Sequence, residues 1–197
     1  MAQQQNGYTS VPHNTYDQYR SYALSHGVNV DYSAGGGYGN QCWDICALLW
    51  FQYGLRLQTG NGYAYGCWTL MRNQNAKPPF TLVTRKEDIR RGDVLVFNKY
   101  GSFYTGHIGF ADENYHGNTL RLLGQNQGQG SSWGTPSNVK NWSLKYFLGG
   151  FRNTKWSSTP PTPPPPPPTP PTPGPSSNFK QGFPWFIYNK KFKNNHR

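Results

Sequence analysis

Gly37-Tyr38-Gly39-Asn40-Gln41-Cys42-Trp43-Asp44 leads directly into the apolar run Ile45-Cys46-Ala47-Leu48-Leu49-Trp50-Phe51-Gln52-Tyr53. The run predicts a helix from about Gln41 to Tyr53, apolar almost all round, with Gly54 as its stop. A helix that is hydrophobic on every side belongs at the centre of a domain. The glycine-rich loop Ala34 to Gly39 delivers Cys42 to the first turn of that helix. Unpaired backbone N–H groups and a partial positive charge at a helix N-terminus stabilise an anion. The Cys42 thiol is therefore expected below the free value of about 8.5, as a nucleophile near neutral pH.

Outward from this helix, the chain is read in four parts. Residues 1–13 are polar, with little to bury, and read as a flexible N-terminus. Residues 14–156 read as the folded domain, residues 157–175 as a proline-rich linker, and residues 176–197 as a short basic-aromatic tail. Within the domain, Tyr16, Tyr19, Tyr22 and Ala23 recur at helical spacing between Thr15 and Ser25, and Gly27 offers a stop. Residues 28–39 form an irregular loop with one acid, Asp31, and a short helix is expected from Trp68 to Arg72. Strands are expected at Phe80–Val83, Val94–Phe97, Gly106–Ala111, Thr119–Leu123 and Tyr146–Arg152, with an Asn/Gly turn around Asn114 to Asn118. Helices first and strands afterwards define an α+β class, with N-terminal helices packed on an antiparallel β-sheet. The tract Thr159 to Pro175 is a stiff polyproline spacer, spanning about 50 Å at about 3.1 Å per residue. The tail interleaves Phe179, Phe183, Trp185, Phe186, Tyr188 and Phe192 with Lys and Arg, as a wall-binding or assembly segment would.

The formal net charge is +11. Residues 159–197 carry five basic and no acidic residues, so the excess is uneven. A basic surface favours polyanions: nucleic acid, an anionic membrane, or the teichoic acids of a Gram-positive wall. The opening residues lack the apolar core of a signal peptide and no run reaches membrane-spanning length, so synthesis in a bacterial cytoplasm without a signal peptide is expected. Three cysteines, Cys42, Cys46 and Cys67, form no framework of pairs and no zinc spacing, and reduced thiols are expected.

A cysteine nucleophile needs a base within hydrogen-bond reach and a third group to orient that base. Of the five histidines, His13, His26, His116 and His196 fall in termini, turns or a helix end. His107 alone is framed by small residues on a strand, in Thr105-Gly106-His107-Ile108-Gly109-Phe110, with room to face a cleft. Asn126 ends the neighbouring strand in Leu122-Leu123-Gly124-Gln125-Asn126, and its side-chain oxygen can fix an imidazole tautomer. Cys46 and Cys67 read as packing residues.

The order Cys, His, Asn, with "GYGNQCWD", "RRGDVLVF", "GHIGF" and "LLGQN", resembles the CHAP family. These are the cysteine, histidine-dependent amidohydrolases and peptidases of the papain-like, NlpC-type superfamily, and the likeness is to those of bacteriophage endolysins and virion-associated lysins. It covers about Thr15 to Arg152 and implies a papain-like CHAP fold. It implies Cys42 as nucleophile, His107 as general base and Asn126 as orienting residue, with no cofactor required for the chemistry. Many relatives carry an acid two residues before the asparagine; here that position is Gly124, which leaves a triad.

Some phage CHAP domains also bind calcium through loop acids and the acid two residues past the cysteine. Asp31 and Asp44 match that pattern, whereas Ser33 stands where a second loop acid would, so a weakened or absent Ca2+ site is expected. The resemblance implies a peptidoglycan hydrolase that cleaves an amide bond of the Gram-positive wall: a stem or cross-bridge peptide bond, or the muramoyl-alanine amide. Its expected partners are peptidoglycan and teichoic acid, with a holin or a virion for delivery and no specific nucleic acid. The alternatives are a non-enzymatic cell-wall or nucleic-acid binding protein, in which basic charge and stacking aromatics do the binding, and a cytoplasmic thiol transferase of the same superfamily.

Overall fold

The structure is a computed structural model, and it describes residues 13–25, 41–128 and 137–156. Helix α1 (Tyr16–Ser25) follows from the tyrosine spacing: Tyr16, Tyr19 and Ala23 are buried on one stripe. Thr15 Oγ1 opens the helix by accepting from the Gln18 N–H at 3.2 Å. Helix α2 (Cys42–Phe51) is the central element, with eight of its ten residues buried. The Tyr19 hydroxyl donates to the Ile45 carbonyl and joins the two helices. Gly54, at φ +67°, ends α2 as expected. Its N–H reaches Phe51 O at 2.9 Å and the Leu55 N–H reaches Trp50 O at 3.0 Å, a Schellman closure that only a left-handed residue permits.

The expected helix Trp68–Arg72 is two short turns instead, α3 (Gly66–Thr69) and α4 (Arg72–Asn75). Buried Asn75 explains the break. Its side chain accepts from the Gln58 N–H at 2.8 Å and donates to Gln58 O at 2.8 Å and Cys67 O at 3.0 Å. One amide thus satisfies the backbone groups that the irregular segment leaves open.

Strands β1 (Phe80–Val83), β2 (Val94–Phe97), β3 (His107–Ala111), β4 (Thr119–Gly124), β5 (Asn138–Ser143) and β6 (Phe147–Asn153) form one antiparallel sheet in the order β1-β6-β2-β3-β4-β5. Both faces of its centre are buried. Val94, Val96, Ile108 and Phe110 pack against α1 and α2, and Trp50 of α2 stacks on Phe80 with ring centroids 3.9 Å apart. Leu95, Phe97, Leu120 and Leu122 pack with Trp142 in a second cluster. Hence β2 is a continuous apolar run rather than an alternating one.

Strand β5 was not expected. Asn138-Val139-Lys140-Asn141-Trp142-Ser143 is too polar to read as a strand, yet it pairs with β4 from Thr119↔Ser143 to Gly124↔Asn138. An edge strand needs backbone pairing and one buried side chain, here Trp142, more than it needs an apolar run.

Two buried carboxylates tie the ends together. Asp112, just past β3, receives Arg20 of α1 on both oxygens, at 2.6 and 3.0 Å, together with the Tyr16 hydroxyl at 3.0 Å. Asp93, ahead of β2, receives Arg152 of β6 on both oxygens at 2.8 Å. Burial still pushes the Asp93 carboxyl up, with the Arg152 bond acting against it. Among the described residues no helix is long and apolar enough to cross a membrane. The chain divides between Ser158 and Thr159, and the expected flexible N-terminus, linker and tail lie outside the described residues apart from His13.

Candidate active site

The site is assembled at the first turn of α2. Asp44 Oδ2 accepts the Gln41 N–H at 2.6 Å, the carboxylate half of a capping box. From the end of β4, Gln125 Nε2 donates to Gln41 O and Asn126 Nδ2 donates to Gln41 Oε1, both at 3.0 Å. The residue before Cys42 is thus held from three directions. Asn126 reaches this position with φ +53°, a left-handed conformation that asparagine tolerates better than most residues.

The Cys42 thiol is buried and its pKa is pushed up to about 12, the reverse of the expectation. Burial is the largest cause and the Asp44 carboxylate adds to it, while the backbone N–H groups of Ile108, Cys42 and Trp43 act the other way. A helix N-terminus is worth about 0.3–1 kcal/mol, at most about 2 in partly buried sites. Full desolvation of an anion moves a pKa by as much as about 3–5, several times more. The helix effect is present and loses. Cys46 and Cys67 are buried free thiols pushed up by the same cause, as packing residues would be.

His107 opens β3 directly after Gly106, whose φ is +71° and whose absent β-carbon would stand 2.5 Å from the Phe97 carbonyl oxygen. Only glycine makes that turn. The imidazole does not face an open cleft. Its ring stacks on Trp142 of β5 at 4.3 Å between centroids, with Phe103 edge-on at 5.6 Å. Since β5 was not foreseen, neither was the indole that covers the base. Burial pushes the His107 pKa down to about 4, opposed by the side chain of Gln127.

The structure brings the three expected residues to one end of the sheet without linking them into a hydrogen-bonded triad. The Cys42 sulfur lies against the Ile108 N–H, one residue past His107. Neither His107 ring nitrogen has a hydrogen-bond partner among the described residues. Asn126 is bonded to Gln41 instead of to the imidazole. With the thiol pushed up to about 12 and the imidazole down to about 4, both are neutral at pH 7 in this arrangement.

Two nearby residues went unnoticed in the sequence. Trp142 lay in a segment not read as structure. Gln127 continues the amide run Gln125-Asn126, and only that run hinted at a polar cluster. Trp43, which follows Cys42, lines a pocket of about 230 Å³ with Arg56, Leu57, Gln58, Thr59, Gly60 and Met71.

Of the calcium candidates, Asp31 lies outside the described residues. Asp44 is buried and accepts the Gln41 N–H, as a helix-capping carboxylate does. Among the described residues no group of three or more His, Cys, Asp or Glu side chains could hold a metal ion. With the loop that carries Asp31 outside the described residues, calcium stays an expectation of the sequence, and no step below uses a metal.

Residues 31–126 match the family model of the CHAP domain. The match supports a hydrolase of the amidase or peptidase kind. Among solved structures, the crystal structure of a wild-type endolysin, LysIME-EF1, is similar over 74% of this chain and 67% of that one, at 22% identity and a TM-score of 0.58. A second, Ly7917, aligns over 74% of this chain and 63% of that one, at 15% identity and a TM-score of 0.47. At these identities the first likeness speaks for the fold alone. No curated protein matches.

Proposed function

We propose that the protein is a peptidoglycan hydrolase of the phage-lysin kind, with Cys42 as nucleophile and His107 as base. The observation that carries this reading is the thiol at the start of the central helix, set against the amide of Ile108, next to His107 at the head of β3. The endolysin likeness and the basic charge, which suits an anionic wall, add to it.

In this reading, substrate binding turns the His107 ring from Trp142 toward the thiol. His107 takes the Cys42 proton as sulfur attacks an amide carbonyl of the stem or cross-bridge, or the muramoyl-alanine amide. The oxyanion is met by the Cys42 N–H, which projects from the helix start. His107 then gives its proton to the leaving amine as the C–N bond breaks. Water, deprotonated by the same imidazole, hydrolyses the thioester and restores the thiol. Asn126 acts on this pair through Gln41, by fixing the residue that presents Cys42. A holin or a virion would bring the enzyme to the wall, and the basic tail would hold it to teichoic acid.

Replacement of Cys42 by Ala or Ser tests the reading. Loss of turbidity in Gram-positive cell-wall suspensions should stop, and lysis that survives would leave a non-enzymatic wall binder. Mass spectrometry of digested peptidoglycan then identifies the bond. A free muramoyl lactyl group marks an amidase, and a new amino terminus within a stem or cross-bridge marks an endopeptidase.

A further inference from the structure

Gln127 is buried, and the four acceptors around its side-chain nitrogen leave no doubt about which way its amide points. Nε2 faces Asn138 O at 2.9 Å, Leu122 O and Asn138 Oδ1 at 3.2 Å, and Gly124 O at 3.3 Å. All four are oxygens that can only accept, so the nitrogen must lie on that side and Oε1 on the other. Lys140 Nζ donates to the Gln127 carbonyl at 3.2 Å and holds the backbone as well. Gly124 supplies the space. A β-carbon there would stand 3.0 Å from Gln127 Cδ, 3.1 Å from Oε1 and 3.3 Å from Cγ. A β-carbon at position 124 would make the carboxamide give way by a few tenths of an ångström.

Among the described residues the oriented oxygen is buried without a hydrogen-bond donor, and both nitrogens of His107 are buried without partners. The Gln127 side chain is close enough to the imidazole to favour its protonation. A buried acceptor and a buried donor, each unmatched, are both costly, and a bond between them would satisfy one of each.

We propose that Gln127 is the positioning residue of the base: its Oε1 accepts from one ring N–H of His107, with Gly124 as the notch that admits it. The nitrogen facing Gln127 then keeps its proton, and the other is the one free to take the proton of Cys42. The inference rests on the assignment of His107 as base, and it names the group that sets the base's tautomer.

The test uses the full-length chain labelled with ¹⁵N. Long-range ¹H–¹⁵N spectra read the tautomer and titration of His107, assigned by difference from His107→Gln. The wild type should show a single His107 tautomer, and Gln127→Leu a mixture. Wall lysis by Gln127→Leu should fall about a hundredfold in kcat with KM little changed, the size expected when a reacting group loses its alignment. Gln127→Glu keeps the shape and places a carboxylate against the ring, so the His107 titration and the acid limb of the pH–rate profile should both move to higher pH. An unmoved titration in folded Gln127→Glu overturns the proposal, as does an unchanged single tautomer in Gln127→Leu. If Gln127→Leu does not fold, Gln127→Glu decides alone. Wall lysis by Cys42→Ala would refute the hydrolase reading instead and leave the spectra of Gln127 and His107 to stand.

Discussion

Asn126 donates its side-chain amide to Gln41 Oε1 at 3.0 Å, tying the turn after β4 to the residue that presents Cys42. Asparagine therefore meets two separate requirements here: the amide, and a backbone at φ +53°. Glycine keeps the second and drops the first. Asn126→Gly should cost about 1 kcal/mol for the neutral hydrogen bond. Asn126→Ala should cost about 1–2 kcal/mol more, because a β-carbon is disfavoured in the left-handed region. Both should slow wall lysis. Urea denaturation of the two variants side by side checks this, and equal losses would show that the backbone conformation is not what asparagine supplies.

His107 makes stability depend on pH in a defined direction. Its folded pKa is pushed down to about 4 from an ordinary 6.5, so between those values the unfolded chain binds more protons. Acid therefore favours unfolding. The contribution is full above about pH 6.5 and declines as the pH falls through the window to about 4, a loss of about 3 kcal/mol at most. Melting temperatures at pH 7 and pH 4.5 should diverge more in the wild type than in His107→Gln. Parallel curves would show that the buried imidazole titrates normally.

The Asp112 cluster should matter to the fold without touching the chemistry. Asp112→Ala strands the Tyr16 hydroxyl and the Arg20 guanidinium, whose partner is buried. Breaking a buried ion pair from one side costs about 3–5 kcal/mol, and the partial exposure of Arg20 argues for the lower end. At about 2–4 °C per kcal/mol, a fall in Tm of roughly 6–12 °C is expected. Below that melting point, kcat on wall fragments should match the wild type. A fall in kcat at low temperature would mean that α1 shapes the site.

Deleting residues 159–197 removes five of the basic residues and no acids. The division of the chain at Ser158 predicts an unchanged melting temperature. Hydrolysis of soluble wall fragments should persist, while retention on whole walls should weaken and become less sensitive to salt. Co-sedimentation with purified walls at low and high salt measures this, and equal retention would remove any anchoring role from the tail.

Much of the frame was legible because it rests on local patterns. Helix α2 follows from nine residues with hardly a polar atom, and its end from a glycine in the one conformation glycine accepts freely. Strand β2 reads as buried on both faces because Val94-Leu95-Val96-Phe97 offers no polar face. The order Cys42, His107, Asn126 was likewise visible, and the structure gathers those residues at one end of the sheet. Strand β5 was not legible, since its pairing partner is β4 and not anything in its own sequence. With it went Trp142, the ring that covers His107.

The sequence by itself determined where the candidate nucleophile stands: a cysteine at the first turn of a helix whose burial is dictated by its own composition. It could not determine the state of that cysteine. A helix N-terminus lowers a thiol pKa and burial raises it, and only the packing around Cys42 decides that burial is the larger effect. The same holds for the base. Glycines on either side of His107 promised an open ring, whereas Trp142 from a distant edge strand covers it and the Gln127 carboxamide fills the space that Gly124 leaves. Chain order names the candidate residues, but desolvation and orientation belong to neighbours that only the tertiary fold supplies.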